Sequence, residues 1–305
     1  MTGCLEDVLK QRNIPFRTLV CAKSLCTFRI GGIVSLVIEP SCICEFVQAI
    51  QLCRKFGRPF AVIGKGSNLL FADAFMDIVL IRTVALDAVR IHSDGRVVAL
   101  CGVSLTALAR RVAQEGLTGL EFACGIPGTV GGGVFMNAGA HGKEMSDVVE
   151  SVDALSENEN EIKTYFHRQL NFSYRNSFFQ TETHPILRVT LRLQYTANID
   201  GILRRMRENQ AARQAKQPIA LPSAGSIFIR PGSGVAMGRV IEELGLKGLR
   251  VGGAEISHQH AGFIVNRGNA TAADVKTLMT IVQNTVERER GFRPIPEIRF
   301  IPECL

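Results

Sequence analysis

Apolar residues recur at helical spacing over residues 1–12, 43–56, 105–115, 199–216, 235–244 and 272–291. Gly57-Arg58-Pro59 ends the second of these stretches, Gly116 closes the third and Pro218 stops the fourth, each a residue type that terminates helices. Strand-type patterns fall at 34–38, 60–63, 78–81, 88–91, 96–101, 147–155, 160–166, 186–195 and 261–265, and the stretch after the first helix reads as polar connection. Residues 147–155 and 160–166 predict a hairpin around Ser156-Glu157-Asn158-Glu159-Asn160. Near residue 197 strands give way to long helices, which predicts a domain boundary there, and no internal repeat is visible.

Two segments interrupt this pattern with glycine. Gly125 to Ala140 reads GIPGTVGGGVFMNAGA, with six glycines in sixteen residues, yet it keeps Ile126, Val130, Val134, Phe135 and Met136 for burial. A flexible linker would be polar, and this run is not. Backbone without side chains lets amides approach an anion closely. A loop earlier in the chain, Gly64-Lys65-Gly66-Ser67-Asn68, follows the apolar run Phe60–Ile63 and offers amides, a hydroxyl and a carboxamide. This loop fits neither standard nucleotide fingerprint: Leu69 stands where a third Rossmann glycine belongs, and Gly66 follows Lys65 where a P-loop needs Ser or Thr. Alone, each loop reads as a tight turn between core elements. Two of them, both with apolar flanks, point to a bound dinucleotide.

At 305 residues, with 46% hydrophobic and 21% charged residues, the chain can form more than one globular domain. No apolar run approaches the roughly eighteen residues of a membrane helix, and Glu6 and Asp7 stand where a secretory signal would be basic, so a soluble, cytoplasmic protein is expected. Nine scattered cysteines without a C-x-x-C pair predict reduced, mostly buried thiols rather than a metal site, and His258-Gln259-His260 has no visible cluster of acids or thiols beside it. The net charge of +7 is densest around Arg204, Arg205, Arg207, Arg213 and Lys216. With no tryptophan and three tyrosines, base stacking is poorly served, and the run reads as a solvated face or a site for a small anion. Nucleic acid, a membrane and an obligate protein partner are not expected.

Three shorter groups carry chemistry. Tyr174-Arg175-Asn176-Ser177 places a planar cation where it could hold a carboxylate. Pro222-Ser223-Ala224-Gly225-Ser226 sets a serine after a small turn, without the G-x-S-x-G elbow of a hydrolase. Glu297 is fixed between Pro296 and a predicted strand.

Thr27-Phe28-Arg29-Ile30-Gly31-Gly32, Gly64–Leu70, Gly125–Gly132, Asn137–Ala140, Tyr174–Ser177, Pro222–Ser226 and Pro296–Arg299 occur in that order. The series resembles the UDP-N-acetylenolpyruvoylglucosamine reductase (MurB) family from about residue 27 onward, and the lack of a Tyr-bearing insertion near 195–200 resembles its shorter, type II branch. The resemblance implies an α+β architecture: an FAD-binding fold of the vanillyl-alcohol oxidase (PCMH-type) kind in subdomains 1–85 and 86–197, a third α+β substrate domain at 198–290, and a C-terminal segment, 291–305, carrying the catalytic Glu. It implies tightly bound FAD on Gly64, Lys65, Gly66, Ser67 and Asn68 and on Gly125, Ile126, Pro127, Gly128, Thr129, Gly132, Asn137 and Ala138.

The resemblance also implies ping-pong chemistry in peptidoglycan precursor synthesis. NADPH would reduce the flavin and leave, and UDP-N-acetylglucosamine enolpyruvate would then occupy the same cleft. Hydride would pass to the terminal enolpyruvyl carbon, Ser226 would deliver a proton to C2, and Arg175 and Glu297 would stabilise the developing enolate. Tyr174, Lys216 and Arg230 would contact substrate or NADPH. Two rivals remain at this stage: an oxygen-using flavin oxidase, which shares the glycine loops, and a non-catalytic nucleotide binder, suggested by the basic helix.

Overall fold

The computed structural model describes residues 4–156, 161–182, 184–232 and 234–302. The chain forms two compact units, each assembled from separated stretches. The first comprises residues 1–17, 36–65 and 79–213, and the second comprises 18–35, 66–78 and 214–305.

The seven helices among the described residues are α1 (Leu5–Gln11), α2 (Ile43–Lys55), α3 (Leu105–Gln114), α4 (Val130–Phe135), α5 (Ile199–Lys216), α6 (Met237–Glu243) and α7 (Ala272–Arg290). Helix α7 shows why the periodicity is readable. Thr271 caps it by accepting from the Asp274 amide while Asp274 accepts from the Thr271 amide, and Gly291 ends it in the left-handed region at φ +75°. Its apolar stripe Val275, Leu278, Met279, Val282 and Val286 is buried.

The first unit holds a five-stranded antiparallel sheet in the order Ile162–Phe166, Val149–Leu155, Ile186–Arg192, Arg96–Leu100, Val89–Ile91. The predicted hairpin is present, with Leu155 opposite Ile162, while Glu157, Asn158, Glu159 and Asn160 of its turn lie outside the described residues. Alternate residues Val97, Ala99, Val152, Ala154, Val189 and Leu191 face a core shared with the inner sides of α2 and α3. In the same unit Phe60–Ile63 pairs in parallel with Val79–Arg82, and the glycine loop starts from the end of that strand.

The second unit holds a four-stranded antiparallel sheet in the order Ser223–Ser226, Phe263–Asn266, Ala254–Ile256, Arg250–Val251. It also holds a short parallel pair, Leu69–Phe71 with Arg299–Ile301. The segment read as polar after α1 contains the strand Phe16–Cys21, mostly exposed and without the alternation that marks a half-buried strand. No helix among the described residues is long and apolar enough to cross a membrane.

Eight cysteines are free thiols, four buried and four exposed, and Cys304 lies outside the described residues. Burial pushes the Cys53 and Cys101 thiols up to about 12, so both stay protonated and inert at neutral pH.

Candidate active site

Gly64 and the loop that begins at Gly125 meet within the first unit. Ile63 closes its strand by accepting from the amide and hydroxyl of Thr83, and the chain turns into Gly64. A Cβ at Gly64 would lie 2.4 Å from Thr129 Oγ1, so only glycine permits this approach. The second loop is fixed at the start of α3: the Leu105 amide donates to Gly128 O, and the Val130 amide donates to Val103 O. Lys65 Nζ donates to Ser104 Oγ at 2.6 Å, and partial burial holds its ammonium below the usual lysine range. Among the described residues, the amides of Gly64, Lys65, Gly128 and Thr129 make no hydrogen bond within the chain. Grouped amides of this kind form a concave donor surface for phosphate oxygens. The loops therefore fit the diphosphate of a dinucleotide.

The basic run on α5 divides by partner. Arg205 pairs with Glu121 at 2.6 Å, Arg204 approaches Glu208 at 3.9 Å, and Asn209 donates to Glu121 O. Burial alone would raise the Glu121 carboxyl; donation from the Thr118 hydroxyl and from Arg205 outweighs it and holds the group below its ordinary range. Arg213 has no ion pair among the described residues and lies against Gly125, where a Cβ would come within 2.8 Å of its Cδ. Burial lowers its pKa, yet a guanidinium remains charged at any ordinary pH. A positive charge thus lies against the second glycine loop.

Tyr174 and Arg175 occupy a narrow turn in the first unit, closed by hydrogen bonds in both directions between Ser173 and Asn176. The Arg175 guanidinium lies 4.9 Å over the Tyr174 ring, and Nη2 donates to Gly139 O. Asn137 is fully buried, and its amide is committed within the chain. Its Nδ2 donates to Glu144 Oε1 and Ser173 O, and its Oδ1 accepts from the Ser146 amide.

In the second unit Ser226 ends its strand opposite Phe263, after a register shift at Ala224-Gly225 with Gly225 at φ +80°. The serine expected after a turn is the last residue of an irregular strand. The Glu297 amide donates to Ile227 O at 2.7 Å, and Phe228 bridges to Pro296. Ser226 and Glu297, 71 positions apart in the sequence, therefore stand on adjoining segments. Asn68 strengthens that junction: its Nδ2 donates to Glu297 O at 2.9 Å, and its carbonyl accepts from the Arg299 amide. Thr27 Oγ1 donates to Ser223 O, and the Thr27 amide donates to Gly66 O, which ties the first quoted motif to the serine strand. Lys216 and Arg230 are exposed in the same unit.

No motif marks Gln180, whose amide donates to Arg175 O, or the bond from Asn68 to Glu297 O. Among the described residues no group of three metal-ligating side chains occurs; His258 and His260 pack against Gly248 and Gly238.

Comparison with known proteins fixes the class first. Residues 34–165 match the FAD binding domain family model, and a Physcomitrella patens BBE-like 1 variant aligns at TM-score 0.50 and 15% identity over 63% of this chain and 45% of its own. The fold is that of the PCMH-type flavoproteins. Residues 217–301 match the model for UDP-N-acetylenolpyruvoylglucosamine reductase, C-terminal domain. UDP-N-acetylenolpyruvoylglucosamine reductase from Caldicellulosiruptor bescii is 40% identical over 300 residues, covering 98% of this chain and 94% of that protein. The crystal structure of the enzyme of that name from Thermus caldophilus aligns with TM-score 0.78 and 33% identity, over 94% of this chain and 98% of its own. The chain belongs to the UDP-N-acetylenolpyruvoylglucosamine reductase family.

Proposed function

We propose that this protein catalyses the NADPH-dependent, FAD-mediated reduction of UDP-N-acetylglucosamine enolpyruvate to UDP-N-acetylmuramate, in the cytoplasm, as a step of peptidoglycan precursor synthesis. The observation that carries the reading is the family relationship over nearly the whole chain, joined to a serine and a carboxylate held on adjoining segments. Bound FAD would supply two-electron hydride chemistry, accepting from NADPH and donating to the enolpyruvyl carbon. The subdivision into 1–85, 86–197, 198–290 and 291–305 is part of the proposal; the family-model matches, 34–165 and 217–301, fall on either side of its boundary at 197/198.

The diphosphate of FAD would be held by the amides of Gly64–Gly66 and Gly128–Thr129, flanked by Ser67, Asn68, Ile126, Pro127, Gly132 and Ala138, with Arg213 adding charge beside Gly125. Asn137 would act there by holding backbone, because its side chain is committed elsewhere. Ser226 would donate the proton to C2 of the substrate. Arg175 and Glu297 would stabilise negative charge on the substrate carboxylate, and Lys216 and Arg230 would bind diphosphate, with Tyr174 lining the site.

The test is an anaerobic absorbance experiment. The reading requires a yellow protein that NADPH bleaches and that only the enolpyruvyl sugar restores. A protein without flavin, or one reoxidised only by oxygen, overturns it.

A further inference from the structure

The Arg175 turn is held from outside by two carboxamides, the fully buried Asn137 and the partly buried Gln180, that no family assignment above employs for catalysis. Arg175 has φ +57°, a left-handed backbone that a residue with a side chain adopts at a cost. The two hydrogen bonds between Ser173 and Asn176 close the turn's ends, but they do not fix the peptide between Arg175 and Asn176. Gln180 fixes it. Its Nε2 donates to Arg175 O at 2.8 Å and to Phe135 O at 2.9 Å, so both amide hydrogens are spent on one bridge. Phe135 is the last residue of α4, and its carbonyl also accepts from Ser177 Oγ at 2.8 Å. Asn137, just beyond the helix, donates to Ser173 O at 2.9 Å. Gly139 O receives the Arg175 guanidinium itself.

The turn is thus tied to the end of α4 by its backbone at two points and by its arginine side chain at a third. The start of α4 is the Thr129 cap of the second glycine loop. One short helix therefore connects the proposed diphosphate cradle to the arginine. We propose that Gln180 and Asn137 are positioning residues that hold the left-handed Arg175 turn, and so aim its guanidinium at the substrate carboxylate. The inference rests on the catalytic reading of Arg175. A displacement of about 1 Å is enough to cost on the order of a hundredfold in rate where orientation matters.

Gln180→Glu keeps the shape and, when ionised, removes both donors; Gln180→Met keeps the volume and removes all polarity, which guards against a variant that fails to fold. Each holoenzyme is mixed anaerobically first with NADPH and then with saturating enolpyruvyl sugar, and the two flavin transients are timed separately. Bleaching by NADPH should stay within about twofold of wild type, while reoxidation by the sugar should slow by about tenfold or more. In an Arg175→Ala background, Gln180→Met should then add less than about twofold, because the residue it serves is gone. An unchanged reoxidation rate, equal losses in both transients, or full additivity with Arg175→Ala overturns the proposal. If the wild-type flavin is not reoxidised by the sugar at all, the underlying functional reading fails instead.

Discussion

The glycine loops of the first unit and the Ser226–Glu297 junction of the second are built by opposite means. The loops are shaped by what is missing: Gly64 admits Thr129, Gly125 admits Arg213, and among the described residues the amides of Gly64, Lys65, Gly128 and Thr129 make no hydrogen bond within the chain. The junction is shaped by pairing. A main-chain bond from Glu297 to Ile227, the Phe228–Pro296 bridge and the Asn68 carboxamide bring distant residues together. The first kind of site is spoiled by adding an atom, and the second by removing one.

That contrast can be broken most severely at Ser226. Ser226→Ala should lower sugar-dependent flavin reoxidation by about 10²–10⁴-fold, the usual range for a lost general acid, while NADPH bleaching continues. Loss of both half-reactions in stopped-flow measurements would deny the serine that role. Next comes Gly64→Ala, whose methyl would stand 2.4 Å from Thr129 Oγ1. Overpacking of this kind costs about 1–3 kcal/mol, and FAD affinity, followed by quenching of flavin fluorescence, should fall by roughly 10–100-fold. Adding Thr129→Ala should recover part of the loss; if it recovers none, the collision is not the cause.

Arg213→Gln should weaken FAD binding by about tenfold at low salt, and less as salt rises, since charge-assisted contacts contribute about 1.5–3 kcal/mol. An unchanged dissociation constant would leave Arg213 as packing for Gly125. Asn68→Ala removes a bond worth about 1 kcal/mol at the other site. It should slow reoxidation severalfold without changing thermal stability by more than a few degrees. The smallest effect is at Glu121, whose carboxyl is held below its ordinary value in the folded chain. Its stabilisation is full above the unfolded value of about 4.3 and is lost as pH falls through the lower folded value. The Tm gap between wild type and Glu121→Gln should therefore be present at pH 7 and shrink as the pH falls below about 4.3 and through the lower folded value.

Much of the fold was legible because helices carry periodicity and punctuation. Thr271 and Gly291 bracket α7, and the alternation in Ile186–Arg192 announces a central strand. The failures have physical causes. Phe16–Cys21 is mostly exposed, and Leu69–Phe71 and Arg299–Ile301 are three-residue partners whose pairing spans over two hundred positions, so no local pattern marks them. Helix α4 was hidden by three successive glycines, poor helix formers at roughly 1 kcal/mol each. Packing explains that choice: a Cβ at Gly131 would stand 2.8 Å from Cys101 Cβ. The loops, Arg175, Ser226 and Glu297 are proposed as site residues from motif order. The partners of Asn68 and Gln180 could not, because a carboxamide looks the same in sequence whether it meets ligand or backbone.

The division into two units gives the chain an unusual inheritance. The boundary is crossed five times, after Arg17, Ser35, Lys65, Ile78 and Arg213, so neither unit corresponds to a continuous stretch of the gene. A fragment beginning at Gln214 would carry Ser226 and Glu297, yet it would lack Leu69–Phe71, on which Arg299–Ile301 is laid, and Asn68, which steadies Glu297. Recombination that exchanges the C-terminal third between relatives must then import compatible residues at 18–35 and 66–78 as well, and crossover libraries should yield active chimaeras chiefly when all three stretches come from the same parent.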